Sequence, residues 1–167
     1  MKKTILTLLC GLLFSLAGNA QTNLRTPFYK DKFYVGANLS GLDLNWNQTQ
    51  KWKFDLGAKA GYLFDDNWMV TANAEYNVRA QEVPNTFKAG AGLRYYIEQN
   101  GLYIGAGANY AHNDKYDDLL PTVQLGYAFF LNRTVTIEPE IYYNQSLKDH
   151  KEYSGIGFRI GFGIYFE

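Results

Sequence analysis

From Lys32 to Phe166 the chain reads as eight successive segments in which every second residue is apolar, and no charge interrupts any of the apolar series. The final segment is the clearest. Ile156, Phe158, Ile160, Phe162, Ile164 and Phe166 alternate with Gly155, Gly157, Arg159, Gly161, Gly163 and Tyr165. Period two marks a β-strand that shows one residue set to each side of a sheet. The segments run Lys32–Ser40, Trp52–Leu63, Trp68–Arg79, Phe87–Glu98, Leu102–Ala111, Thr122–Phe130, Thr134–Asn144 and Tyr153–Phe166. Each is close to the ~10 residues that a tilted strand needs to cross a bilayer.

The glycines say which side of the sheet is which. Of the 16 glycines, Gly11 and Gly18 precede the segments, and Gly41 and Gly101 fall in connections. The remaining twelve all lie on the polar phase, beside the charges and amides. A water-facing strand surface gains nothing from glycine, which weakens the strand and offers no polar group. A narrow lumen does gain, because glycines leave room for long neighbours such as Lys59, Arg94, Tyr96, Tyr142 and Arg159. An eight-stranded barrel has an interior just wide enough for side chains to fill. The polar phase is therefore expected inside and the apolar phase against lipid. A soluble ligand-binding barrel would bury the apolar phase and wet the other, and the inward glycines oppose it.

The apolar phase also carries aromatic residues near both strand ends. Trp52, Tyr76, Phe87, Tyr110 and Tyr143 stand at one rim, and Phe33, Tyr62, Trp68, Tyr95, Phe129 and Phe166 at the other. Such girdles flank the apolar band of a membrane barrel. Connections alternate in kind. "FDDN", "EQNG" and "LNR" predict tight turns, with Asn-Gly a favoured hairpin pair, whereas "GLDLNWNQTQK", "AQEVPNT", "HNDKYDD" and "QSLKDHKE" predict longer polar loops. Short turns belong to the periplasmic side and longer loops to the outside.

The N-terminus fits an exported chain. Lys2 and Lys3, the apolar stretch Ile5–Leu16 and the small residues Ala17-Gly18-Asn19-Ala20 have the layout of a cleaved signal peptide. The expected organisation is a signal peptide over residues 1–20, a periplasmic lead-in over 21–31 and a barrel over 32–167. The only cysteine, Cys10, leaves with the signal. Without Lys2 and Lys3, 14 basic residues face 16 acidic ones, a net charge of −2, which suggests no nucleic-acid partner.

With these residues in view, the chain resembles the small outer-membrane β-barrel family, typified by the eight-stranded transmembrane domain of outer-membrane protein A and its short relatives. The resemblance implies an all-β fold, an eight-stranded antiparallel up-and-down transmembrane β-barrel in the cell outer membrane. It further implies a chain surrounded by outer-membrane lipid and lipopolysaccharide, acting as a monomer and delivered by the barrel-insertion machinery. That machinery reads a terminal aromatic residue in the family. Here Tyr165 and Phe166 stand in for it, with Glu167 behind them. Resemblance identifies architecture more closely than function.

Three places could carry chemistry. On the inward phase, Lys53, Lys59, Arg79, Lys88, Arg94 and Arg159 face Asp55, Glu75, Glu98, Glu138 and Glu140. They predict either a salt-bridged plug or, alternatively, a narrow porin path. Arg159 is expected to reach Glu138 or Glu140 on the neighbouring strand. The second place is the outer loops, where His112, His150, Ser146 and Ser154 raise a lipid-A-modifying enzyme as another class. No His-x-Ser pair sits within a strand, so no nucleophile–base pair is nominated, and neither a metal nor a cofactor is implied. The third is an outer apolar rim, with Trp46 and Tyr116 as contact residues for lipopolysaccharide, a host surface or a protein of unknown identity.

Overall fold

The computed structural model describes residues 28–40, 53–79, 86–97, 100–113, 116–148 and 154–167. Within them the alternating segments are strands: β1 Phe33–Ser40, β2 Lys53–Asp65, β3 Trp68–Arg79, β4 Thr86–Tyr96, β5 Leu102–Asn113, β6 Tyr116–Tyr127, β7 Phe129–Phe130, β8 Val135–Asn144 and β9 Gly155–Phe166. Successive strands pair antiparallel except β6 and β7, β1 also pairs with β9, and β6 also pairs with β8. The sheet therefore closes on itself. β7 continues β6 beyond a break at Ala128, so the closed wall has eight staves. Closure removes the unpaired strand edges that an open sheet would expose.

The two phases separate as the alternation requires, and the burial is inverted relative to a water-soluble protein. Leu56 and Ile156 are 59% and 60% exposed, while Arg94 and Glu138 are 1% and 2% exposed. Charges are inside and aliphatic side chains outside, which suits a wall surrounded by hydrocarbon. Aromatic pairs cross between strands at the short-turn rim: Phe33 lies against Tyr62 and Phe166, and Trp68 against Tyr95. At the short-turn end, Asn67 and Gly101 hold positive φ of 65° and 73°. Those are conformations that Asn and Gly adopt with least strain. Asn132 Oδ1 accepts the Thr134 and Val135 amides at 2.8 Å each, closing the third short turn.

The sequence reading and the structure differ around the sixth strand. The segment "HNDKYDD" is expected as a loop, yet β6 begins at Tyr116 and β5 runs to Asn113, leaving only residues 114 and 115 between them. The ladder continues through His112↔Asp117 and Asn113↔Tyr116. Charged residues there break the apolar pattern, and the ladder carrying them continues beyond Tyr110 at the aromatic rim, where a strand stays paired without being selected for lipid contact. Pro121 is tolerated within β6 because the β6–β8 ladder starts only at the next residue, Thr122↔Asn144. The interruption between β6 and β7 falls where Tyr127 would oppose Pro139, which has no N–H to donate. Register is the same on both sides of it, Gly126↔Glu140 and Phe129↔Ile137.

Candidate functional site in the lumen

The inward side chains stack in layers from the short-turn end upward. The lowest is aromatic: Phe28, Tyr34, Leu63, Met69, Tyr96, Tyr103, Ala128 and Tyr165 form one buried cluster. Phe28 precedes the first strand, within the stretch expected as a periplasmic lead-in. It is 1% exposed and stacks on Tyr96 with ring centroids 3.8 Å apart.

Above this floor lies a charged layer of three carboxylates and three cations: Glu75, Glu138 and Glu140 with Lys59, Arg94 and Arg159. Arg94 projects from β4 across the lumen to β8. Its Nη1 lies 2.9 Å from Glu138 Oε2 and its Nη2 lies 3.1 Å from Glu140 Oε2. Nη1 also donates to Tyr96 Oη at 3.0 Å, and the guanidinium sits 3.8 Å from the centre of the Tyr103 ring. Arg159 stands opposite Glu140 in the β8–β9 register. It donates from Nε to Glu140 Oε1 at 2.5 Å and from Nη1 to Glu75. Lys59 Nζ is 3.4 Å from Glu140 Oε2.

Hydroxyl groups complete the layer. Tyr34 and Tyr165 donate to Glu138 at 3.0 Å each, as does Thr136 at 3.0 Å, and Tyr103 donates to Glu140 at 2.9 Å. Ionised groups this deeply buried are tolerable only when paired and hydrogen-bonded. The layer meets that condition with formal charges that cancel. The glycines make the space. A Cβ on Gly126 would meet the Tyr103 ring, one on Gly163 would meet Tyr34, and one on Gly61 would meet Met69.

Toward the outer end the lumen becomes an amide and hydroxyl ladder. Asn73 donates to Asn109 at 2.8 Å, Asn109 to Thr122 at 2.9 Å and Thr122 to Asn144 at 2.8 Å. Two small cavities flank the charged layer. One of about 10 Å³ lies beside Tyr34, Asn38, Lys59 and Glu140, and one of about 20 Å³ beside Asn73, Asn109, Gln124 and Arg159. Each is about the size of one water. Among the described residues the charged layer lies between the outer ladder and the aromatic cluster.

Of the residues nominated from sequence, Lys59, Glu75, Arg94, Glu138, Glu140 and Arg159 come together here. Arg159 takes Glu140 and Glu75, while Glu138 is held by Arg94. Lys88 is half-buried and opposes Glu75 in the β3–β4 register, nearer the outer end. Glu98 and Trp46 lie outside the described residues, as do the side chains of Lys53, Asp55, Arg79 and Tyr116. Phe166 faces lipid, whereas Tyr165 turns into the lumen and donates to Glu138. Tyr34, Tyr103 and Thr136 were not nominated. Their signal was present, since each is a hydroxyl-bearing residue on the phase that carries the glycines.

The outer-loop groups do not converge. His112 Nδ1 lies 2.5 Å from Asp117 Oδ1 on the exposed side of the wall, whereas Ser146 Oγ donates at 2.5 Å to the buried Asp118. His150 lies outside the described residues.

A closed antiparallel wall of eight staves, apolar outside and with paired charges within, defines a transmembrane β-barrel. The chain belongs to the outer membrane protein beta-barrel domain family, whose model matches residues 6–167, and it is an outer-membrane protein. Its fold is similar to the N-terminal β-barrel domain of Pseudomonas aeruginosa OprF. That match has a TM-score of 0.63 at 12% identity, covering 82% of this chain and 98% of that one. Neisserial surface protein A gives 0.59 at 16% identity, covering 80% and 95%. Ail, the attachment invasion locus protein of Yersinia pestis, gives 0.51 at 17%, covering 82% and 99%. At these identities the likeness is one of fold. Among curated protein sequences, none matches.

Proposed function

We propose that this chain is a closed-lumen barrel with a structural or surface-interaction role and no catalytic one. The observation that carries this reading is Arg94, buried across the lumen between Glu138 and Glu140, with the aromatic floor beneath it. An ion crossing this layer would have to break several charge-assisted bonds in a low-dielectric space. The surface role draws support from the hairpin of β5 and β6, which carries the exposed His112 and Asp117 beyond the aromatic rim. It also draws on the fold likeness to a neisserial surface protein and a Yersinia attachment protein. In this reading lipid and lipopolysaccharide surround a monomer, which the insertion machinery assembles after signal cleavage behind Ala20. The partner at the surface is a protein, glycan or lipid met from outside.

The test is electrical. Purified wild-type protein inserted into planar bilayers should carry no steady current. A stable ohmic channel in the wild type, unchanged by Arg159→Ala, would replace the closed barrel with the narrow porin.

A further inference from the structure

The short-turn mouth contains a socket built for one aromatic ring. Phe28 lies parallel to Tyr96 at 3.8 Å with 14° between planes, meets the edge of Tyr165 at 5.7 Å and 75°, and tilts against Phe130 at 5.5 Å. A ring face on one side and a ring edge on another suit an aromatic quadrupole better than an aliphatic group of equal size. The socket walls are fixed independently of their occupant, because Tyr96 and Tyr165 share a hydrogen bond at 2.8 Å and both tie into the charged layer above.

The occupant is attached differently. Phe28 is buried to 1%, while its successors Tyr29, Lys30 and Asp31 are exposed. The strap carrying it is held by few bonds. The Asn67 amide donates to Phe28 O at 2.8 Å, the Lys30 amide to Asp66 Oδ1 at 2.9 Å, and the Asp31 amide to Leu63 O at 2.8 Å. Tyr62 Oη also donates to Asp31 Oδ1 at 2.7 Å. The Leu63 amide also donates to Lys32 O at 2.8 Å, so the two Leu63 bonds carry the β1–β2 register one step past Phe33↔Tyr62. The bonds of Phe28, Lys30 and Tyr62 lie outside the ladders that close the wall. A segment anchored by one side chain and a handful of bonds at the end of the wall sits at the low end of local stability, where it opens without global unfolding.

We propose that the mouth is a binding site for an aromatic side chain of a peptide, and that Phe28 is its resident ligand, supplied in cis by a separable strap. With the strap seated, the lumen is sealed below the charged layer. With it released, the Tyr96–Tyr165–Phe130 socket faces the periplasm and takes an aromatic residue from another chain. This goes beyond the closed-lumen reading, since the socket would exist whether or not the charged layer conducts.

Amide hydrogen exchange on the full chain in lipid nanodiscs tests it. In the wild type the amides of Lys30, Asp31 and Asn67 should be protected. In Phe28→Ala they should exchange faster by about tenfold or more, with the amides of β4 and β9 unchanged. Added phenol should fill the vacated socket of Phe28→Ala and shift the Tyr96 and Tyr165 ring signals, whereas cyclohexanol of similar size should not. Unchanged strap exchange in Phe28→Ala would overturn the proposal, and so would phenol that behaves no differently from cyclohexanol. Failure of Phe28→Ala to fold would overturn it too, because a separable seal is not needed by the wall. The bilayer current is a separate readout, so failure of the socket and failure of the closed lumen are distinguishable.

Discussion

Replacing Arg94 should expose how the charged layer is balanced. Arg94→Met keeps an unbranched apolar stem against Tyr103 and removes the charge. Glu140 then retains Lys59 at 3.4 Å and Arg159 at 2.5 Å. Glu138 fares worse, because Arg94 at 2.9 Å is its only cation within 4 Å among the described residues, and three hydroxyl donors remain. Breaking a buried pair by removing one partner costs ~3–5 kcal/mol, mostly from the charge left behind. The lost guanidinium–ring contact with Tyr103, desolvated here, adds ~2 kcal/mol. Adding Glu138→Gln removes the stranded charge and should restore much of the loss, whereas Glu140→Gln should restore little because it takes the carboxylate from Lys59 and leaves Arg159 with Glu75 alone. Coupling between Arg94 and Glu138 is therefore expected near the upper end of the ~0.5–3 kcal/mol found for contacting residues, and above that for Arg94 and Glu140. Equilibrium urea unfolding in phosphatidylcholine vesicles would measure it. The fluorescence of Trp68, at the lipid-facing short-turn rim, is a suitable reporter. A near-neutral Arg94→Met, or a larger coupling to Glu140 than to Glu138, would refute this account of the layer.

The glycines offer a contrast on a single strand. A Cβ on Gly163 would press into Tyr34, Thr136 and Glu138, whereas one on Gly161 finds its nearest atom at 3.6 Å. Gly163→Ala should lose ~1–3 kcal/mol by overpacking while Gly161→Ala stays near neutral in the same urea assay, and equal effects would contradict the packing described. On the lipid face, Ala74→Arg and Ile160→Arg should each cost ~2–4 kcal/mol at the bilayer midplane, so near-neutral results at both would mean the faces are inverted. His112→Ala and His150→Ala should leave the lipid A of expressing cells unchanged by mass spectrometry. Loss of an acyl modification in either would bring forward the enzyme that the outer groups do not assemble.

What the sequence determined by itself was the two-faced wall. Lipid acts on each residue separately, so the requirement that Val35, Leu56 or Ile164 be apolar leaves a period-two mark at every position without regard to its partners. The inward glycines are legible for the same reason, since a narrow lumen limits volume along every strand. Partnership is another matter. Period two tells which side chains point inward but not which share a height, because height depends on the stagger between strands around the closed barrel. Arg159 and Glu140 are neighbours on one hairpin, and that pair was within reach of sequence reasoning. Arg94 and Glu138 come from β4 and β8, which adjoin only across the lumen, so their meeting exists only once the sheet closes. The projecting hairpin between β5 and β6 was hidden because strand pairing beyond the bilayer no longer demands apolar residues. Phe28 left no periodic trace at all. It belongs to no ladder, and its place was decided by an aromatic socket whose walls, Tyr96, Phe130 and Tyr165, come from three separate strands.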